Sequence, residues 1–147
     1  IFCNEFMYLQ QILNISGDSI LEEYSYSSGM LIIVLTLGEL DKKLRISIKT
    51  GELHFNDFYL SKKEVLYKTC RIEIAELANI LQLKNGIYTP SDSFGKFMNE
   101  ARKNYNLAYG KKSSEVKYLF SLVGYSNLIS CVFEDQDCIV VEEYQKN

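Results

Sequence analysis

Residues 30–37, MLIIVLTL, and residues 43–49, KLRISIK, decide the fold of this chain. In the second stretch Leu44, Ile46 and Ile48 alternate with polar residues, which is the pattern of a strand with one buried and one solvated face. The first stretch is apolar on both faces. It therefore requires cover from both sides and is predicted to be the central strand of a sheet.

Two further stretches of β character, residues 21–27 and 53–59, flank this pair. Turn-forming residues separate the four segments at Ser28-Gly29, at residues 38–42 and at residues 50–52. Consecutive strands joined by short turns are usually antiparallel neighbours, so the four segments are predicted to form an antiparallel meander.

Two helices are predicted to pack on this sheet. An N-terminal helix over residues 4–15 follows from apolar side chains at helical spacing: Phe2, Phe6, Leu9 and Leu13. A central helix over residues 90–108 starts at Pro90, which suits the first helical position, and its apolar face carries Phe94, Met98, Ala101 and Tyr105.

Residues 65–86 fit either a strand or a helix, and we assign strand to about residue 70 and helix to residues 72–84. Strands return in the C-terminal part, where an acidic turn over residues 134–137 joins the last two. With 147 residues and 47% hydrophobic content, the chain can bury one core. We therefore predict a single α+β domain over residues 1–147: an antiparallel β-sheet meander with N-terminal and central helices packed on it.

The cysteines argue against a disulfide framework or a structural zinc site. Cys3, Cys70, Cys131 and Cys138 are sparse for a chain of this length, and no Cys/His pair accompanies Cys131 and Cys138. Cys70 and Cys131 lie in apolar stretches and are expected to be reduced core residues. We predict no metal or other cofactor and a cytoplasmic location. The apolar N-terminal stretch contains Glu5 and has no basic segment before it, so neither a signal peptide nor a membrane span is expected.

His54 is the only histidine, so a Ser-His or Cys-His mechanism would have to use it. Strand alternation separates it from Leu53 and Phe55, and it is expected to be a partly exposed strand residue. A small hydrolase or nucleotide-modifying enzyme using His54 with Asp57 or a carboxylate pair remains an alternative. Asp57 is three residues away and would point to the opposite face of a regular strand. We assign no catalytic residue.

Charge is unevenly distributed along the chain, whose net charge is −3. Both terminal parts are acidic, and they would share one surface if the last strands joined the meander. The Glu22-Glu23 and Glu142-Glu143 pairs each lie in a strand, where neighbours point to opposite faces. The basic middle is interleaved with Tyr105, Tyr109 and Tyr118 and offers an alternative function as an RNA-binding regulatory module; its cations are Lys96, Arg102, Lys103, Lys111, Lys112 and Lys117. The acidic net charge argues against nucleic acid as a partner, and a solvated helix face is the favoured interpretation.

Tyrosines at predicted surface positions (Tyr24, Tyr26, Tyr59 and Tyr88) fit either a protein interface or β-rich packing. The stretch EEYSYSSGMLIIVLTLGELDKKLRISIKTGELHFND, residues 22–57, resembles small bacterial immunity proteins, the antidotes encoded beside contact-dependent and other polymorphic toxins. The resemblance implies a cytoplasmic, non-enzymatic protein that occludes a toxin, commonly a basic nuclease. The candidate contacts with this partner are Glu22, Glu23, Tyr24, Tyr26, Glu134, Asp135, Asp137, Glu142 and Glu143.

Overall fold

The computed structural model describes residues 19–37, 42–55, 71–83, 93–105, 117–123 and 127–145. Eight strands among these residues form two four-stranded antiparallel sheets. Sheet A has the order β1-β2-β3-β8 and sheet B the order β4-β7-β6-β5. The strands are β1 Ser19–Ser27, β2 Met30–Leu37, β3 Lys42–Lys49, β4 Glu52–Phe55, β5 Arg71–Glu76, β6 Tyr118–Val123, β7 Asn127–Phe133 and β8 Ile139–Gln145.

Sheet A confirms the predicted arrangement of its first three strands. A tight turn at Ser28 and Gly29, both with positive φ (53° and 77°), joins β1 to β2, as a two-residue hairpin loop of this twist requires. Apolar residues of β2 and β3 face each other in register, for example Leu31 with Ile48. Met30–Leu37 is an inner strand, as its continuous apolar sequence indicates.

The fourth predicted segment does contain a strand, Glu52–Phe55, but its predicted place in the meander is wrong. β4 does not pair with β3 but with β7 in sheet B, and β8 occupies the position beside β3. The chain leaves sheet A at Thr50, whose amide donates to the Gly29 carbonyl at 2.9 Å. The Thr50 hydroxyl donates to the Val132 carbonyl of β7 at 2.6 Å, which holds the end of sheet A against sheet B.

The assignment of residues 72–84 to a helix is also wrong in its first half. Arg71–Glu76 is a strand paired with β6 along its whole length, and helix α1, Leu77–Leu83, begins only after it. The amide of Leu77 donates to the Lys117 carbonyl at 2.8 Å, which ties the start of the helix to the residue before β6.

Helix α2, Ser93–Asn104, lies within the predicted central helix. Its residues Met98 and Ala101 are buried, and Phe94 is half-buried, so the predicted apolar face is confirmed. This face packs on sheet B, however, and not on the sheet that contains β2. Residues 4–15, with the predicted N-terminal helix, lie outside the described residues, as does Pro90. Neither described helix has the length and apolar content of a membrane span.

Two apolar cores result from this order of layers. The first lies between the sheets and contains Ile33 and Ile46 from sheet A and Phe120 and Ile129 from sheet B. The second lies between sheet B and the helices and is built around Leu81 and other buried side chains. Burying each large aliphatic side chain contributes roughly 1.5–3 kcal/mol. Sheet B has apolar cover on both faces and sheet A on its inner face. The described residues are thus α+β with a majority of antiparallel strand.

Candidate partner-binding surface

The side of sheet A that faces away from sheet B, here called the outer face, carries charged and apolar side chains in rows across the strands. Residues directly opposite each other in an antiparallel pair point to the same face. The register therefore gives one row of Glu23, Val34, Arg45 and Glu142, and the next row of Ser25, Ile32, Ser47 and Val140. Lys43 lies beyond the first of these rows, while Met30 and Lys49 lie beyond the second.

A bulge in β1 changes the expected placement of the first glutamate pair. The register shifts between Leu21 and Glu23, so Glu22 is the extra residue. The Thr36 hydroxyl, on the outer face, donates to the Glu22 carboxylate at 2.9 Å. Glu22 and Glu23 thus share the outer face and are both exposed, contrary to the prediction that neighbours in this strand point apart.

The second glutamate pair alternates as predicted. Glu142 lies on the outer face with its carboxylate 3.9 Å from Arg45. Glu143 lies on the other face and forms an ion pair of 3.0 Å with Lys42. Because β8 joins sheet A, the N-terminal and C-terminal acidic segments do meet on one surface. They do so through Glu22, Glu23 and Glu142, which lie on the two edge strands.

Exposed apolar side chains concentrate on the same face. Four large hydrophobic residues of the described chain are exposed, and three of them belong to the outer face: Ile20 at 38%, Met30 at 37% and Val140 at 45%. The basic side chains of β3 lie between the acidic edge strands. The outer face thus combines acidic edges, a basic strand and exposed apolar groups at its margins, while Val34 and Thr36 in its middle are buried.

The two tyrosines of β1 are less accessible to a partner protein than the sequence indicated. Tyr24 is half-buried and points between the sheets, where its ring centroid lies 5.4 Å from that of Phe55. Tyr26 is 38% exposed, and its hydroxyl donates to the Thr50 carbonyl at 2.9 Å. Tyr24 is therefore a packing residue, while Tyr26 remains partly accessible to a partner. Tyr59 and Tyr88 lie outside the described residues.

The remaining acidic candidates lie at one end of the two sheets, beside a cavity of about 510 Å³ that we call the end groove. Its walls come from three turns, at residues 28–29, 50–52 and 134–138, together with Lys49 and Lys117. Glu134 and Asp135 line it. The Asp135 carboxylate accepts the Asp137 amide at 2.9 Å, which holds the last of these turns in shape.

His54 is buried, not partly exposed as predicted, with 8% of its surface accessible. Helix α2 covers it: the His54 ring lies 5.7 Å from each of the Phe94 and Phe97 rings, and its Nε2 shares a hydrogen bond of 3.1 Å with the Ser93 hydroxyl. Leu53 and Phe55 point to the opposite face, as the alternation predicted. His54 therefore joins β4 to α2 within the fold, and Asp57 lies outside the described residues.

The basic middle does not form one patch in the described part of the chain. Lys96 and Lys103 are exposed on α2, whereas the Arg102 guanidinium donates to the Leu81 carbonyl at 3.3 Å. Lys117 lines the end groove instead. Tyr105 is buried in the second core, and Tyr118 stacks on Phe133, so neither presents a free ring to a nucleic-acid base. Lys111, Lys112 and Tyr109 lie outside the described residues.

Both described cysteines are free thiols. Burial raises the pKa of the Cys131 thiol to about 12, although a hydrogen bond with Thr50 acts in the opposite direction. This cysteine is a core residue, as predicted, while Cys138 is half-buried beside the end groove. Cys3 and Cys70 lie outside the described residues. No cluster of three or more His, Cys, Asp or Glu side chains suited to a metal ion occurs within residues 19–145 where the structure describes them.

Comparison with known proteins identifies the class. No family model matches the chain, and no solved structure matches it. A curated relative does: the chain is 31% identical over 121 residues to a bacterial immunity protein, a match that covers 82% of this chain and 83% of the relative. That relative is Immunity protein RhsIC of Dickeya dadantii (strain 3937). The chain belongs to the Rhs-type immunity proteins of polymorphic toxin systems, as the resemblance of residues 22–57 indicated.

Proposed function

We propose that this protein neutralises its cognate toxin by binding it one to one and covering its working surface, without chemistry on the partner. The observation that carries the proposal is the outer face of sheet A, where glutamates line both edges and exposed apolar side chains lie among the charged strands. Membership of an immunity family makes a toxin the natural protein partner.

The environment of His54 supports binding over catalysis. A general base must reach a substrate proton within hydrogen-bond distance, but this imidazole is enclosed by two phenylalanine rings and a serine. The candidate carboxylates are spread over the outer face, the opposite side of β8 and the end groove. They suit contacts spread over a broad interface, in keeping with an inhibitor that is not an enzyme.

We further propose that the toxin is a nuclease with a basic cleft and that the two proteins meet in the cytoplasm. Carboxylates such as Glu22, Glu23 and Glu142 can occupy positions that substrate phosphates would take, and opposite charges speed the encounter. The two free thiols, Cys131 and Cys138, fit a reducing compartment.

Growth of cells that express the cognate toxin domain, sought in the reading frames that flank the coding sequence of this protein, tests the neutralising function. Cells that also express this chain should grow normally, and the two purified proteins should form a one-to-one complex by light scattering. Unrelieved toxicity with folded, soluble immunity protein would contradict the proposal.

The charge contribution is tested by the triple change Glu22→Lys, Glu23→Lys and Glu142→Lys. Association of this variant with the toxin should slow and lose much of its salt dependence, because electrostatic steering acts on the encounter rate. An unchanged association rate at low salt would exclude these glutamates from the interface. Degradation of nucleic acid by the isolated toxin domain separately tests whether it is a nuclease.

A further inference from the structure

We propose that the toxin docks on the outer face of sheet A and continues over its end into the end groove. This inference rests on the proposed function, since it names the surface through which the neutralising contact is made. The partner is a domain that presents basic side chains toward β1 and β8 and acidic or apolar side chains toward β2 and β3.

The charge pattern of the outer face disfavours a second copy of this chain stacked squarely on it. Two aligned sheets related by a twofold axis along the strands would place the glutamates of β1 over Glu142 of β8. A twofold axis across the strands would place each acidic strand over its own copy. Like charges meet in both arrangements and disfavour them. A different surface, with basic groups opposite both acidic edges, is therefore a better match for the whole face.

The size of the face requires the contact to extend beyond it. Four strands about 4.8 Å apart, and six residue steps along β2, give a plan area of about 400 Å². A stable complex usually buries about 800 Å² on each partner. A partner that covered only the outer face would bury less than this, even though the accessible area of the side chains exceeds the plan area.

The end groove supplies the missing area because it adjoins the outer face without a break. Lys49 belongs to the last row of the face and also lines the groove, and Met30, exposed in the same row, follows the Ser28-Gly29 turn that forms a groove wall. Glu134 and Asp135 on the far side continue the acidic character. A toxin segment that crosses Met30 would thus enter the groove directly.

Gly51 offers a clean probe of the groove. It is exposed, lines the groove, and has no atom within 4 Å of the position a Cβ would take. A large side chain there fills the groove without straining the fold. Gly29, in contrast, has φ of +77° and is unsuitable for substitution.

Four variants test the inference with the purified cognate toxin domain. Glu23→Lys and Val140→Arg alter the outer face, Gly51→Trp fills the end groove, and Glu100→Lys is the control. Glu100 is an exposed glutamate on α2, so Glu100→Lys changes the net charge as Glu23→Lys does but on the helical layer. Unfolding temperatures of all four verify that each variant is folded.

We expect Glu23→Lys and Val140→Arg to weaken binding tenfold or more, Gly51→Trp to weaken it at least fivefold, and Glu100→Lys to change it less than twofold. Wild-type binding with all four variants within twofold would overturn the inference and leave the proposed function intact. Loss of binding in Glu100→Lys alone would place the interface on the helices, and a neutral Gly51→Trp would remove the groove from it.

Two other outcomes concern the proposed function itself and the oligomeric state of the protein. A wild-type protein that neither binds nor neutralises the toxin would refute the proposed function itself. A dimer of the isolated protein that Val140→Arg dissociates would make the outer face a contact between copies, and would overturn the inference.

Discussion

Thr50 connects the two sheets, and replacing its hydroxyl by a methyl group should destabilise the fold. The Thr50 side chain is buried; its hydroxyl donates to the Val132 carbonyl at 2.6 Å and accepts the Glu52 amide at 3.2 Å. Thr50→Val keeps the shape of the side chain but removes both bonds. A buried polar group left without a partner costs about 1–3 kcal/mol, so we expect a loss of about 2 kcal/mol in the free energy of unfolding.

Urea denaturation measures this loss directly, and the melting temperature should fall by roughly 4–8 °C for a chain of this size. Thr36→Val is the matched control, because that hydroxyl donates to the exposed Glu22 carboxylate, which water can solvate once the bond is gone. We expect it to cost about 0.5 kcal/mol. If Thr50→Val costs no more than Thr36→Val, the hydroxyl of Thr50 does not hold the sheets together.

Three further predictions follow from buried groups and surface charge. The pKa of the Cys131 thiol is about 12 in the folded protein against 9.0 ordinarily. The contribution of this buried, protonated thiol to the free energy of unfolding is therefore complete below pH 9. It falls by about 1.4 kcal/mol per pH unit as the pH rises toward 12, so urea denaturation from pH 9 to 11 should show a steeper loss in wild type than in Cys131→Ala. His54→Ala should lower the free energy of unfolding by about 2–4 kcal/mol. At temperatures where this variant is folded, it should still neutralise the toxin. Loss of neutralisation by the folded variant would favour the catalytic alternative. Labelled single-stranded RNA should bind no tighter than millimolar near 150 mM salt, whereas micromolar binding abolished by Lys96→Ala with Lys103→Ala would support the nucleic-acid alternative.

Local patterns predicted the elements whose neighbours in space are also neighbours in sequence. The alternation of Leu44, Ile46 and Ile48 identified a half-buried strand, and Ser28-Gly29 identified the hairpin before β2, because each depends on residues within a few positions. The position of the fourth strand was predicted wrongly, because it depends on contacts such as the hydrogen bond from Thr50 to Val132, which joins residues 82 positions apart. Nothing within the Thr50-Gly51-Glu52 turn distinguishes a hairpin from a crossing to a second sheet.

The acidic residues of the outer face were predictable, but its exposed apolar residues and its geometry were not. Sequence reasoning selected Glu22, Glu23 and Glu142, and the acidic segments were expected to meet if the last strands joined the sheet. The bulge that places Glu22 beside Glu23 depends on pairing with β2, and the inward position of Tyr24 depends on packing against sheet B. Ile20, Met30 and Val140 were missed as contacts, although polar neighbours such as Ser25, Ser27 and Ser47 mark the same face as solvent-exposed.

The burial of His54 illustrates the same limit. Its alternation with Leu53 and Phe55 identified its face correctly, but the exposure of that face depended on whether another element covered it. Helix α2 begins 39 positions later in sequence, where Ser93 reaches the imidazole. The sequence did not indicate that a second apolar layer covers sheet B, and this layer is what buries His54.

Carboxyl labelling of the protein alone and in complex with the toxin domain tests the central claim most directly, because it reports the accessibility of individual glutamates. The account predicts that labelling of Glu23 and Glu142 falls at least fivefold in the complex, while labelling of Glu100 on α2 is unchanged. Undiminished labelling of Glu23 and Glu142 in a complex that protects Glu100 would contradict it.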